Sequence, residues 1–524
     1  MNAPLLRNTI AHCIVSRANK AILVPRTGKS VNLFPGAPAI DDFLVIEHSV
    51  RNVICLRAIG YEVPNPALCY YNWKGSTPYA VQRATCDMLT TNQRGYVLNG
   101  MGTGKTKTAL WAWDYLNEQG LAGKMLVVTT LSNIHITWAA EAFSTLPGRK
   151  AVVLHGPKQK RLQLLDTDAD IYIINHDGLR TIQAALSLRT DIDTLVLDEL
   201  AVYRNNSDRS KEMRKFATRF RVVWGLTGAP MPQAPTDVWA QAKIVTPHTV
   251  PAYFRQAQEL LMNKVNNFKW VPKQDAITTA FRMLQPSVRY SLDAVVELPE
   301  VIHRTIDVPL TKPQKDAYDA LSKMFQADVQ GEKITAVNAA VAMGKLLQVS
   351  GGWVYTGSAI GAVPLDSKPR IDALVDLVTA NERKVLIFVP YIHTIEGLSP
   401  VLEKAGIEHA IVHGGVSSNA RSEIFRAFQH TDKFKALLAH PACLAHGLTL
   451  TAADLIIWYM PITSLDIYDQ ANARITRIGQ KHRQQVIHLQ STSVERKIYS
   501  LLRGKANVQA QLLAMLANAT QEAA

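Results

Sequence analysis

The segment GMGTGKT, Gly100 to Thr106, sets glycines, a lysine and a hydroxyl between an apolar run, YVLNG, and an amphipathic one. That order suits a strand, a tight turn and a helix. Glycines let backbone N–H groups converge on phosphate oxygens, and a helix starting there adds the positive end of its dipole. Gly100, Met101, Gly102, Thr103 and Gly104 would form the cradle. Lys105 would neutralise the β and γ phosphates of a nucleotide, and the Thr106 hydroxyl would ligate Mg²⁺. The six-position form of this loop wants a glycine where Asn99 stands. Asparagine tolerates left-handed backbone, so the turn is expected to survive.

Asp198 and Glu199 close a second apolar run, DTLVLDE. Asp198 there can hold the water shell of Mg²⁺, and Glu199 can orient and deprotonate an attacking water. Surface turns often carry such pairs, but one placed downstream of a phosphate loop points to hydrolysis. In WGLTGAP, Thr227 and Gly228 end a strand expected beside that of Asp198, where they could sense a γ-phosphate. Gln82, in TPYAVQ, carries an amide that can meet both N6 and N7 of adenine, although a lone helical glutamine is ordinarily just solvated. In DIYDQANARITRIGQ, the spacing of Gln470, Arg474 and Arg477 puts all three on one helical face. Alone, that is a basic surface or a nucleic-acid contact. Opposite a bound nucleotide the two arginines become fingers for transition-state charge, worth about 10³–10⁵ in rate. Just before them, HGLTLTAAD (His446 to Asp454) offers hydroxyls suited to phosphodiesters.

These groups need strands and helices to hold them. Two long regions alternate short apolar runs with amphipathic segments, the pattern of parallel α/β domains. The first holds GYVLNG, KMLVVTT, KAVVLHG, DIYIINH, DTLVLDE and RVVWGLTG; the second holds KVLIFVP, HAIVHG, FKALLAH, DLIIWYM and QQVIHLQ. The expected organisation is a small β-containing N-terminal domain over 1–75 and an α/β lobe over 76–246. A helical connecting segment over 247–300, a second α/β lobe over 301–505 and a tail over 506–524 complete it. The connector contains NNFKWVPK, whose Phe268 and Trp270 read as packing before they read as base-stacking.

The chain has 524 residues, a formal net charge of +14 and basic residues spread throughout, which suits a folded surface meeting a polyanion such as nucleic acid. No apolar run is long enough for a transmembrane helix, so no membrane partner is expected. The five cysteines lack paired metal-ligand spacing and read as free thiols of a reducing cytoplasm.

Taken in order, TPYAVQ, NGMGTGKT, LVVTTLSNIHITW, IINHDGL, LDEL, LTGAP, KVLIFV, HGLTLTAAD and QANARITRIGQ resemble the superfamily-two helicases, and within them the Swi/Snf-type translocases. The resemblance runs from about Thr77 to Gln480 and implies two RecA-like lobes with ATP and Mg²⁺ in the cleft. It carries Gln82, Gly102, Gly104, Lys105, Thr106, Asp198, Glu199, Gln470, Arg474 and Arg477 into the nucleotide site. It also implies a nucleic-acid groove lined by Thr129 to Asn133, Asn175 and the HGLT loop, with DNA, duplex or branched, as the partner. The DEAH-like tetrad reads DELA, so Leu200 and Ala201 supply no polar group there. With no room for large insertions, the chain resembles the compact forms of bacteria and bacteriophages. Strand separation by the same motor, a motor subunit of a nuclease using Asp366 and Lys368, and a non-catalytic DNA-binding scaffold are the competing readings.

Overall fold

The apolar runs fold as strands of two parallel sheets. The structure is a computed structural model and describes residues 12–266, 269–294, 299–331, 336–355, 362–444, 449–477, 479–504 and 506. The first sheet has seven strands, in the order Ser287–Val288, Arg94–Val97, Val222–Leu226, Ile192–Asp198, Lys124–Thr129, Ile171–Asn175 and Ala151–Val153. The second has six: Val301–Asp307, Gln484–Gln490, Ala453–Trp458, Lys384–Phe388, Ala436–Ala439 and His409–Val412. All neighbouring strands in both are parallel. The fold is therefore α/β, two RecA-like lobes in tandem. A four-stranded antiparallel sheet with the helix Val50–Ala58 precedes them.

Alternation along each strand divides the first lobe into two cores. Tyr96, Leu126, Tyr172 and Leu195 face one layer of helices, while Val97, Met125, Ile173 and Val196 face the other. Burial on both faces is why these strands read as unbroken apolar runs. Parallel pairing also brings the strand ends Val97, Thr129, Asn175, Asp198 and Leu226 to one edge, where open α/β sheets place their ligands. The Val222–Leu226 strand lies beside that of Asp198, as its sequence suggested, and separates it from the strand before the phosphate loop.

The stretch 247–300 is less helical than its sequence suggested. It contains the helices Phe254–Leu261 and Ala276–Met283, but also a hairpin of Met262–Lys264 with Trp270–Pro272. Trp270 packs against the core of the first lobe; Phe268 lies outside the described residues. The Ser287–Val288 strand then joins the first sheet and satisfies its open edge. Tyr96 N–H donates to Pro286 O at 3.0 Å, Leu98 N–H to Val288 O at 2.9 Å and Gly100 N–H to Tyr290 O at 2.8 Å. Among the described residues no helix is long and apolar enough to cross a membrane.

Candidate active site

The phosphate loop has the backbone its glycines were expected to allow. Gly102 and Gly104 take φ of +79° and +83°, and Gly104 caps the helix Lys105–Glu118. A side chain on Gly104 would collide with Gln82, its Cβ falling 2.2 Å from Nε2. Gln82 is buried here: Nε2 donates to Thr103 O at 3.3 Å and Oε1 accepts from Tyr79 N–H at 3.0 Å. Its amide ties the loop to the preceding turn, and meeting adenine requires these bonds to be exchanged. Lys105 Nζ folds back to donate to Asn99 O at 3.0 Å and Gly100 O at 3.1 Å. Thr106 follows in the first helical turn.

The turn survives at Asn99 without the left-handed backbone that asparagine tolerates. The residue is a buried bridge: Nδ2 donates to Thr85 Oγ1 at 3.0 Å, and Oδ1 accepts from Tyr290 N–H at 2.9 Å. The side chain is kept for two polar partners, not for its backbone preference.

Asp198 Oδ2 accepts hydrogen bonds from Thr129 Oγ1 at 2.7 Å and Trp138 Nε1 at 2.8 Å. Glu199 is a non-glycine residue at φ +52°, a strained conformation of the kind that collects at functional sites. Burial, and then the charge of Asp198, push its carboxyl up to about 7, with Asp466 adding to the rise and Lys105 and Arg474 opposing it. Leu200 and Ala201 are buried in a short turn and supply no polar group. A histidine that follows the Ile171–Asn175 strand, one strand removed from that of Asp198, stands there instead. His176 Nε2 lies 3.1 Å from Asp198 O and Nδ1 lies 2.9 Å from the Tyr203 hydroxyl. Burial lowers this imidazole to about 4, so it is neutral at physiological pH. The signal was present in IINHDGL, but the histidine's reach across an intervening strand is not a sequence pattern.

Of the expected groove residues, Thr129 is turned inward to Asp198, and Asn175 is buried with its Oδ1 accepting from Arg161 Nη1 at 3.2 Å. Leu131 and Ser132 are exposed. Of HGLT, only Thr449 lies within the described residues. Lys368, half of the pair considered for a nuclease, instead bonds Asp372 at 2.7 Å on the surface.

The second lobe's motif is not one helical face. The helix Leu465–Asn472 ends before both arginines, and they fold back to feed its open carbonyls. Arg474 Nε donates to Gln470 O at 2.7 Å and Arg477 Nε to Ala473 O at 3.2 Å. Gln470 Nε2 donates to Asp466 Oδ1 at 3.0 Å. The charges are nonetheless felt across the lobes. The charge of Arg474 acts on Glu199 and that of Arg477 on Lys105, while Asp466 feels Arg204 of the first lobe and in turn acts on Glu199. One further cation, not recognised from sequence, is Arg289. Its Nη1 donates to Leu98 O at 2.7 Å beside Gly100, and its charge acts on Lys105.

Burial lowers all four cations: Lys105, Arg474 well below the ordinary guanidinium value, and Arg289 and Arg477 each to about 10. Cations depressed in this way favour an incoming anion. The set therefore fits a polyphosphate, with Thr106 and Asp198 beside it suited to a hard divalent cation.

Tandem RecA-like lobes meeting over a phosphate loop define a class of ATP-dependent motors. Residues 78–349 match the SNF2-related domain and residues 369–479 the helicase conserved C-terminal domain. The first match alone covers more than half of the chain, which belongs to the SNF2-related family. It is 26% identical over 444 residues to "Putative protein p41" of Acyrthosiphon pisum secondary endosymbiont phage 1, a match covering 79% of this chain and 91% of that one. It is 25% identical over 428 residues to the ISWI chromatin-remodeling complex ATPase CHR11 of Arabidopsis thaliana, covering 77% of this chain but 39% of that protein. The chain thus spans well under half of the plant ATPase. A Sulfolobus solfataricus SWI2/SNF2 ATPase core in complex with dsDNA is similar over 87% of this chain and 97% of that one, at 19% identity and a TM-score of 0.39.

Proposed function

We propose that the chain hydrolyses ATP and uses the cycle to move along DNA, duplex or branched. The observation that supports this reading is electrostatic: the charge of Arg474 is felt at Glu199 and that of Arg477 at Lys105, so groups of both lobes share one field at the phosphate loop. A site completed only when two lobes come together can couple bond cleavage to their relative motion. The working units in this reading are residues 76–246 and 301–505, with 1–75 as an accessory domain.

The loop Gly100 to Gly104 and Lys105 bind the phosphates, and Gln82 selects the base. Thr106 and Asp198 would hold Mg²⁺, which when bound supplies Lewis-acid charge at the phosphate oxygens. Glu199 orients the attacking water and takes its proton. Arg474 and Arg477 meet the negative charge that develops on the transferred group, and Gln470 holds Arg474 through its carbonyl oxygen. The net charge of +14 supports a phosphodiester partner.

The test is steady-state ATP hydrolysis with single-stranded, duplex and forked DNA and with RNA. Duplex or forked DNA should raise turnover severalfold, Lys105→Ala should abolish it, and moderate salt should suppress the stimulation. If no nucleic acid changes the rate, the reading fails.

A further inference from the structure

Asp198 is held from behind by a single loop that touches it at both ends. The loop leaves the strand Lys124–Thr129 at Thr129, whose Oγ1 donates to Asp198 Oδ2 at 2.7 Å. It runs outward through exposed Leu131 and Ser132 and returns through a π-helical turn, Ile134–Ala139. There Trp138 Nε1 donates to the same oxygen at 2.8 Å. Both donor side chains are fully buried, at 0% exposure. Wide π turns recur at functional sites, where the extra residue re-aims a side chain. Here the re-aimed group is an indole N–H. Two neutral donors on Oδ2 fix the plane of the carboxylate without neutralising it; among the described residues no hydrogen bond is made to Oδ1, and Lys105 of the phosphate loop feels the charge of Asp198.

We propose that Thr129 and Trp138 are positioning residues for the metal-binding carboxylate, setting how tightly the nucleotide-loaded protein takes up Mg²⁺. This rests on the reading of Asp198 as a metal carboxylate. Groups that hydrogen-bond a metal ligand typically contribute about 10–100-fold to metal affinity.

The experiment is a Mg²⁺ titration of fluorescent ATP-analogue binding to the full chain, with EDTA as the metal-free reference. Thr129→Val and Trp138→Phe should each raise half-saturating Mg²⁺ by about 10–100-fold while metal-free binding stays as in wild type. Thr129→Ser, which keeps the hydroxyl, should titrate like wild type. Thr129→Val is nearly isosteric and remains informative if Trp138→Phe does not fold. Asp198→Asn separates the two levels of the argument. If it shifts the titration while the Thr129 and Trp138 variants do not, the positioning proposal is overturned. If Asp198→Asn also leaves the titration unchanged, the metal reading of Asp198 itself falls.

Discussion

Glu199 carries the sharpest residue-level consequence. Its carboxyl rises from 4.5 to about 7 on folding. A group raised in this way contributes stability that is complete below about pH 4.5 and lost as pH climbs through about 7. Activity runs the other way, because only the ionised form accepts a proton from water. Turnover should therefore climb with pH around 7 and level off above it. Glu199→Gln should lower kcat by about 10²–10⁴-fold while retaining nucleotide, and should melt higher than wild type at pH 8 but level with it at pH 5. A flat pH–rate profile from pH 6 to 8 would count against the assignment. The sequence showed Glu199, Asp198, Lys105, Arg474 and Arg477 because each sits in a contiguous pattern. It did not show Thr129, Trp138, His176 or Arg289 as members of the site. Their meaning comes from which strands and segments lie side by side, and spacing along the chain does not encode that.

At the scale of elements, apolar runs revealed the central strands because helices bury both of their faces. Two of the four edge strands of these sheets escaped. Val301–Asp307 is largely exposed and carries His303, Arg304 and Thr305, while Ser287–Val288 is too short to show a period. The latter matters, since residues 286–290 strap the phosphate loop through backbone bonds and through Asn99. Asn99→Ala strips the acceptor from the half-buried Tyr290 N–H and the donor from the buried Thr85 hydroxyl, and should cost about 1–3 kcal/mol. Asn99→Gly restores the common loop glycine yet should cost as much, which thermal unfolding can check; a variant as stable as wild type would refute the bridge. In the second lobe the helix Lys368–Ala380 is pinned to the helix 493–504 by a buried pair. Arg370 Nη1 lies 2.8 Å from Glu495 Oε1, and Glu495 Oε2 also accepts from Ser491 N–H at 2.6 Å. Glu495→Ala leaves a buried guanidinium unpaired and should cost about 3–5 kcal/mol in denaturant unfolding. Replacing both partners with apolar residues, as in Arg370→Met with Glu495→Leu, should cost far less.

At the scale of the whole molecule, each lobe buries its own core, and charges of the second lobe are felt at the site in the first. Separate cores make relative motion feasible, and an electrostatic influence of one lobe on the other makes it responsive to a bound anion. The spacing of Gln470, Arg474 and Arg477 conveyed the partners but misjudged their support, because the helix ends at Asn472. Arg474 therefore acts on Glu199 from a turn whose position follows the second lobe as a body. If its guanidinium meets developing charge only in the closed arrangement, its removal should strike kcat and spare ground-state binding. Arg474→Ala is expected to lower DNA-stimulated kcat by about 10³-fold with the KM for ATP within a few-fold of wild type. Arg477→Ala, which acts on Lys105, should raise KM as well. Parallel titrations of kcat and KM on both variants distinguish these patterns. An Arg474→Ala protein that keeps a tenth or more of wild-type turnover would mean that the two lobes do not complete one site.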